Sequence, residues 1–476
     1  MTNPKNSSET DEHLKRGLED RHIQLIAVGG AIGVGLFLGS STAIKTAGPA
    51  LMLSYLAGGL VLYFMMRSLG EIAVQYPVSG SFSAYANMFM GAKAGYITGW
   101  TYWFMWVVTG MAEITAVGVY CTFWWPDLPQ WIPALAALVC MTTINLIAVN
   151  LFGEFEFWFA MIKVAVILTM IALGAGIILF GLGHDGVPTG VSNLYALQGG
   201  FMPNGISGVV LALSMVMFAF VGIELVGVTA GEAANPERTI PSAINKVLWR
   251  ILIFYIGALF VIMSIFPWNE IGSKGSPFVL TFENLGIDKA AAFINFVVLT
   301  AALSSCNSGI FSNGRMLYNL ARQKRGPACF DSVSSHRVPA RGIVASSAVM
   351  MVGVLLNYVL PEQVFIIVTS VATFAGVWIW GTIFVIQIKA RKQMTAEQIA
   401  GLKYPSPWFP YTNYIGLAFM AFIYVVLCLD GSTRIAMIVG PLWIVLLLAV
   451  YYAVGWNKAD KLEQRTEKGP DAIPTP

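Results

Sequence analysis

Gly29-Gly30-Ala31-Ile32-Gly33-Val34-Gly35-Leu36-Phe37-Leu38-Gly39 sets five glycines inside an apolar segment that runs from about Ile23 to Ile44. The segment has the length of a bilayer-spanning helix, roughly 20 residues. Each glycine in a helix interior nevertheless costs about 1 kcal/mol against alanine, so something must offset the loss. In lipid, backbone that leaves the helical ladder is tolerated only where it is buried in protein or lines a polar cavity. The cluster therefore predicts a helix broken at a binding site, where a half-helix N-terminus offers free N–H groups and a positive dipole end to an anion. Close helix packing through small residues is the alternative. It requires no polar companions, and this chain supplies several.

Working outward, the 476 residues are 57% hydrophobic and 11% charged, against about 25% charged for a soluble domain. This is an all-α polytopic membrane protein. Twelve transmembrane helices are expected at 23–44, 50–72, 94–124, 131–150, 156–182, 206–231, 245–267, 290–321, 342–360, 363–388, 412–430 and 435–455. With both termini cytoplasmic, the inner loops, tails and span ends hold 23 of the 28 Lys and Arg residues; Lys45, Lys274, Lys289 and Arg434 fall on the outer side, and Lys163 lies away from the span ends. That asymmetry sets both termini inside a cytoplasmic (inner) membrane. The first span follows a polar tail and is longer than a signal-peptide core, so it is expected to be retained.

Five scattered cysteines give no metal spacing or disulfide framework, and none of the four histidines sits at a span centre. No cofactor or metal is expected. The chain has no His-Glu-x-x-His, no Gly-x-Ser-x-Gly and no Gly-Lys dipeptide, which argues against an intramembrane enzyme and an ATP-driven pump. Gly33-Val34-Gly35 followed by Gly39 has the wrong spacing for a dinucleotide fingerprint. The net charge of +3 restates the basic inner loops and gives no reason to expect nucleic acid.

Polar residues inside the spans carry the chemistry. Span three places Tyr102, Trp106, Thr109, Gly110 and Glu113 on one face, and an acid at mid-bilayer costs at least ~2.5 kcal/mol unless it faces a cavity. Span five contains Lys163, which either points inward or snorkels to the interface. Glu154 and Glu156, at its start, are expected at the interface. Span six repeats the opening theme with Phe218-Ala219-Phe220-Val221-Gly222-Ile223-Glu224-Leu225-Val226-Gly227. Corresponding interrupted helices in two halves point to an inverted-repeat transporter with its site at the midplane. Ser304, Ser305, Asn307 and Ser308 in span eight either knit helices together or coordinate an ion.

The divisions follow: a cytoplasmic tail, 1–22; a first five-helix repeat, 23–182; an extracytoplasmic loop, 183–205; a second repeat, 206–388; a cytoplasmic loop, 389–411; helices eleven and twelve, 412–455; and a cytoplasmic tail, 456–476. A surface or reentrant helix is expected over Phe82 to Met90, and an outer turn at Ala47-Gly48-Pro49.

Several motifs together carry a resemblance. They are the glycine-rich first span, Pro77-Val78-Ser79-Gly80-Ser81-Phe82, Gly153-Glu154-Phe155-Glu156-Phe157-Trp158, and Gly231-Glu232-Ala233-Ala234-Asn235-Pro236-Glu237-Arg238-Thr239-Ile240-Pro241. From Lys15 to about Trp456 the chain resembles a bacterial amino-acid permease, in the amino-acid transporter family of the amino acid–polyamine–organocation superfamily. The resemblance implies a leucine-transporter-type fold, a 5+5 inverted repeat plus two C-terminal helices, and proton-driven amino-acid uptake. Similar members carry proline, histidine, threonine or serine, alanine, phenylalanine or γ-aminobutyrate.

It further implies that the amides of Gly33, Val34 and Gly35 receive the substrate carboxylate, with the Ala31 and Ile32 carbonyls near the amine. Phe218, Ala219 and Val221 match positions that supply an aromatic lid and further carbonyls, Glu224 an acid beyond the break assigned to gating, and Lys163 a proton-coupling lysine. Glu113 is the nearest plausible carboxylate for the substrate ammonium. Some relatives have Ser at the Val34 position and Trp at the Phe218 position, so side-chain preference does not transfer. The expected partners are an amino acid, a proton and the lipid bilayer. The competing functions are an amino-acid exchanger and an amino-acid-sensing receptor.

Overall fold

The computed structural model describes residues 32–78, 81–147, 149–182, 186–225, 235–271, 275–284, 288–334 and 338–458. Among them the protein is helical without a strand. Two short helices open the described chain, α1 (Val34–Phe37) and α2 (Gly39–Ala47), followed by α3 (Leu51–Gln75) and α4 (Ser81–Met90). Then come α5 (Ala92–Cys121), α6 (Trp131–Ile147), α7 (Val149–Phe180), α8 (Gly205–Ala219) and α9 (Pro236–Arg250). A π-helical turn (Ile251–Gly257) joins α9 to α10 (Ala258–Ile265). The remainder is α11 (Pro277–Asn284), α12 (Asp288–Arg322), α13 (Ala340–Val359), α14 (Val364–Gln393), α15 (Ala396–Ala400), α16 (Tyr411–Leu429) and α17 (Ala436–Ala453).

Nine helical stretches among the described residues are long and apolar enough to cross a membrane, and α6 and α8 are shorter apolar helices. The expected turn after the first span is present: α2 ends at Ala47, Gly48 has φ 61° and ψ −148°, and a 3-10 turn, Gly48–Ala50, leads into α3. The helix expected over 82–90 is α4, starting one residue earlier.

α5 is the hub. It packs on α4, α6, α12, α13 and α14, and 83% of its apolar window is buried against 22% for α17. A helix enclosed on all sides can carry polar groups that lipid would reject. Links between spans use such groups: Asn145 Nδ2 donates to Asn307 Oδ1 at 2.7 Å, Trp103 Nε1 to Ser346 Oγ at 2.9 Å, and Asn357 Nδ2 to Thr115 Oγ1 at 2.7 Å. The small polar residues of α12 and α13 therefore knit helices together.

One end of the bundle is strapped by the segment 401–410. Glu71, buried at the end of α3, accepts a bidentate pair from Arg391 of α14, both at 2.7 Å, and the Ser406 amide at 2.6 Å. Arg67 donates to the Pro405 carbonyl at 2.6 Å and stacks 3.9 Å over the Tyr404 ring. Burial pushes the Tyr404 phenol up to about 12, so it stays protonated and donates to Asn245 of α9 at 3.1 Å. Bidentate pairing of this kind fixes orientation as well as position. α3, α9 and α14 are thereby joined through one strap.

Candidate functional site

Gly33 is extended, with φ −124° and ψ −160°, and the helix begins at Val34. The Leu36 and Phe37 amides turn back to the Gly33 carbonyl, so the Gly33–Val34 peptide heads a helix instead of continuing one. Opposite it stands Glu113 of α5, 2% exposed, whose Oε1 would lie 2.9 Å from a Cβ placed on Gly33. The carboxylate also lies against the Val34 amide. Ser305 Oγ donates to Glu113 Oε1 at 2.7 Å, while Oε2 is buried without a hydrogen-bond partner among the described residues.

Lys163 of α7 does not reach the surface; it is 1% exposed, and its Nζ donates to Ser304 Oγ at 3.2 Å. It is also close enough to Glu113 for a direct charge interaction. Adjacent hydroxyls on α12 thus hold an ammonium from α7 and a carboxylate from α5. In the low-dielectric interior such a pair is held only where hydrogen bonds satisfy it. The arrangement can accept a cationic group at Oε2 and exchange a proton between buried bases.

The sixth span breaks as the sequence anticipates. α8 ends at Ala219, and the chain turns through short i to i+3 contacts, Val221 N–H to the Phe218 carbonyl at 2.9 Å and Ile223 N–H to the Phe220 carbonyl at 3.1 Å. Gly222, at φ 97°, allows the reversal, a backbone conformation that a side chain penalises. Glu224, fully buried, accepts from the Gly222 amide and from Trp380 Nε1 of α14, both at 3.2 Å onto Oε2. Arg250 and Tyr102 lie within its electrostatic reach.

The two breaks meet at Gly35, where a Cβ would stand 2.4 Å from the Ala219 Cα. Backbone thus touches backbone across the site. Phe218 meets Phe365 of α14 edge-on at 6.3 Å, and Val221 packs near Gly376. Ile32, Gly33, Val34 and Glu113 therefore converge, with Lys163 one serine away, and Gly35, Phe218, Ala219 and Val221 form the crossing beside them. Glu224 sits in a separate cluster on the far side of the sixth-span break. Ala31, Gly29, Gly30 and the first four residues, 231–234, of the motif that runs to Pro241 lie outside the described residues, as do the side chains of Glu154 and Glu156.

The sequence reading missed Arg250, Tyr255 and Trp380. Arg250 had a signal, a basic residue embedded in the apolar run from Val247 to Phe266. Trp380 and Tyr255 had none, since an aromatic in an apolar span has no sequence mark of its inward partner.

A buried ammonium, a carboxylate and two helix breaks enclosed by apolar spans define a multi-pass membrane protein with an interior polar site. The chain belongs to the amino acid permease family, whose match covers residues 22–464. It is 58% identical to the uncharacterized amino acid permease YtnA of Bacillus subtilis (strain 168), over 94% of this chain and 96% of that protein. Identity is 48% to the probable threonine/serine transporter YbxG of the same organism, over 94% and 96%. It is 46% to the aromatic amino acid transport protein AroP of Escherichia coli O157:H7, over 92% and 94%. The family and these relatives are transporters, which fits a protein that is not an enzyme.

Proposed function

We propose that the protein imports an amino acid together with a proton by alternating access, across the cytoplasmic membrane with both termini inside. Family membership supports an amino-acid substrate. The observation that carries the coupling is the pair of adjacent serines, Ser304 and Ser305, holding Lys163 and Glu113 beside the first-span break. The substrate carboxylate goes to the amides of Gly33, Val34 and Gly35, displacing Glu113 from the Val34 amide, and its ammonium goes to Glu113 and to carbonyls of the first and sixth spans. A sodium ion is disfavoured because the Lys163 ammonium stands where a second cation would be repelled. The substrates in the relatives' names, threonine or serine and aromatic amino acids, define the first panel to test.

One proton entering with a zwitterion moves one net charge, worth ~2.3 kcal/mol per 100 mV. At 1.4 kcal/mol per factor of ten, that supports roughly fifty-fold accumulation per 100 mV. The test is uptake of radiolabelled amino acids into proteoliposomes under separate proton and sodium gradients. Concentrative uptake of at least one amino acid is expected with the proton gradient and not with sodium. Counterflow without net uptake selects an exchanger, and binding without either selects a receptor.

Glu113→Gln keeps the shape and removes the charge. A hydrogen bond to a charged group contributes about 1.5–3 kcal/mol, so substrate affinity measured by calorimetry is expected to fall ten- to a hundredfold. Unchanged affinity and rate would make Glu113 a structural acid.

A further inference from the structure

The sixth-span break has a front, turned to Gly35, and a back, turned to α3 and the π-helical turn. Its back is built from aromatic rings. Phe220, the residue at the break, meets Tyr55 of α3 edge-on at 5.7 Å and Tyr255 of the π turn at 5.1 Å, and the two tyrosines are 5.5 Å apart. Gly58 and Gly59 of α3 admit these groups, with Phe220 ring atoms 3.6 Å from a Cβ at either position and Ile251 2.8 Å from one at Gly59. All three rings are fully buried.

Two hydroxyls enter this box, and they behave differently. Tyr255 donates to the Ala219 carbonyl at 3.2 Å. The Tyr55 hydroxyl is buried without a hydrogen-bond partner among the described residues. Ala219 closes α8, so its carbonyl is one that the break removes from the helical ladder and leaves to find another donor. A π turn is rare and occurs mostly at functional sites. Here it carries the phenol to that carbonyl, and Arg250, at the end of α9 just before the turn, lies near both Tyr255 and Glu224.

We propose that Tyr255 is a substrate-positioning residue, whose phenol fixes the Ala219 carbonyl and so sets the geometry of the sixth-span break that the transported molecule's ammonium group meets. The proposal rests on the amino-acid uptake reading above. The phenol does not touch the substrate; it acts through the peptide whose other side packs on Gly35. With that peptide held, the neighbouring carbonyls of the break keep one orientation. Without the phenol they lose their fixed reference, and the ammonium must order them on binding, at a cost in affinity.

The experiment compares Tyr255→Phe and Tyr55→Phe, each of which removes one hydroxyl and keeps the ring. Uptake of a transported amino acid into proteoliposomes gives KM and maximal rate, and thermal melting in detergent reports the fold. For Tyr255→Phe a rise in KM of about tenfold is expected, with maximal rate within about twofold and an unchanged melting midpoint. For Tyr55→Phe, KM is expected to remain that of the wild type. Unchanged KM in Tyr255→Phe, an equal rise in both variants, or a Tyr255→Phe protein that melts early or does not fold would overturn the assignment, because each marks a packing role alone. A wild type that transports no amino acid would instead remove the functional reading on which the comparison rests.

Discussion

Replacement of Lys163 by alanine is expected to abolish proton-driven accumulation, reducing a gradient of roughly fifty-fold per 100 mV to equilibration. The reason lies in what the side chain joins. Its ammonium is bonded to Ser304 and interacts with Glu113, which borders the Gly33 break. A buried ammonium is costly unless paired, and its neutral amine, though still an N–H donor, loses the charge that strengthens its bond to Ser304 and draws it to Glu113. On the proposed proton-coupled reading, gain and loss of one proton changes how firmly α5, α7 and α12 are tied beside Gly33, a two-state element that a gradient can bias. Alanine has only one of those states. The measurement is uptake driven separately by proton and sodium gradients, in wild type and Lys163→Ala. Sodium-driven uptake in the wild type, or an intact proton response in the variant, would sink the coupling role.

The second large effect is expected at Gly35. Valine there is expected to eliminate measurable substrate binding and to lower the melting midpoint in detergent. A Cβ at this position would sit 2.4 Å from the Ala219 Cα and 3.0 Å from its amide nitrogen, and backbone cannot swing aside as a side-chain tip can. Overpacking a tight core costs about 1–3 kcal/mol, occasionally more, and here the strain falls on the contact between the two broken helices. The amide role that the resemblance implies for Gly35 would by itself predict lost binding with an undisturbed fold. Its position at the backbone crossing changes that expectation. Normal affinity in Gly35→Val would show that the two breaks tolerate separation and that the site does not depend on their contact. A binding defect at full stability would restore the simpler amide role.

These two residues illustrate how far the sequence reaches. Lys163 and Glu113 were legible because a charge within an apolar span is expensive, and the expense itself points inward. The glycine clusters at Gly33–Gly35 and Gly222 were legible because helix interiors avoid glycine; the first falls where α1 begins and the second just past the end of α8. Glu71 was different: it lies at a span end, where an acid is ordinary, and only the folded chain brings Arg391 and the Ser406 amide to it from more than 300 positions away.

What the sequence by itself determined was the class of the protein, its many apolar helices long enough to cross a membrane, and the glycine-marked places where α1 begins and α8 ends, all consequences of local composition acting against the bilayer. Which polar group meets which was decided by tertiary structure alone. Ser305 chose Glu113, Ser304 chose Lys163, Gly35 met Ala219, and Tyr255 reached the carbonyl that the break released. The physical reason is that desolvation is a property of a residue and its neighbours in sequence, whereas the hydrogen bond that offsets it depends on a donor brought close by packing, and helix periodicity carries no record of the facing helix.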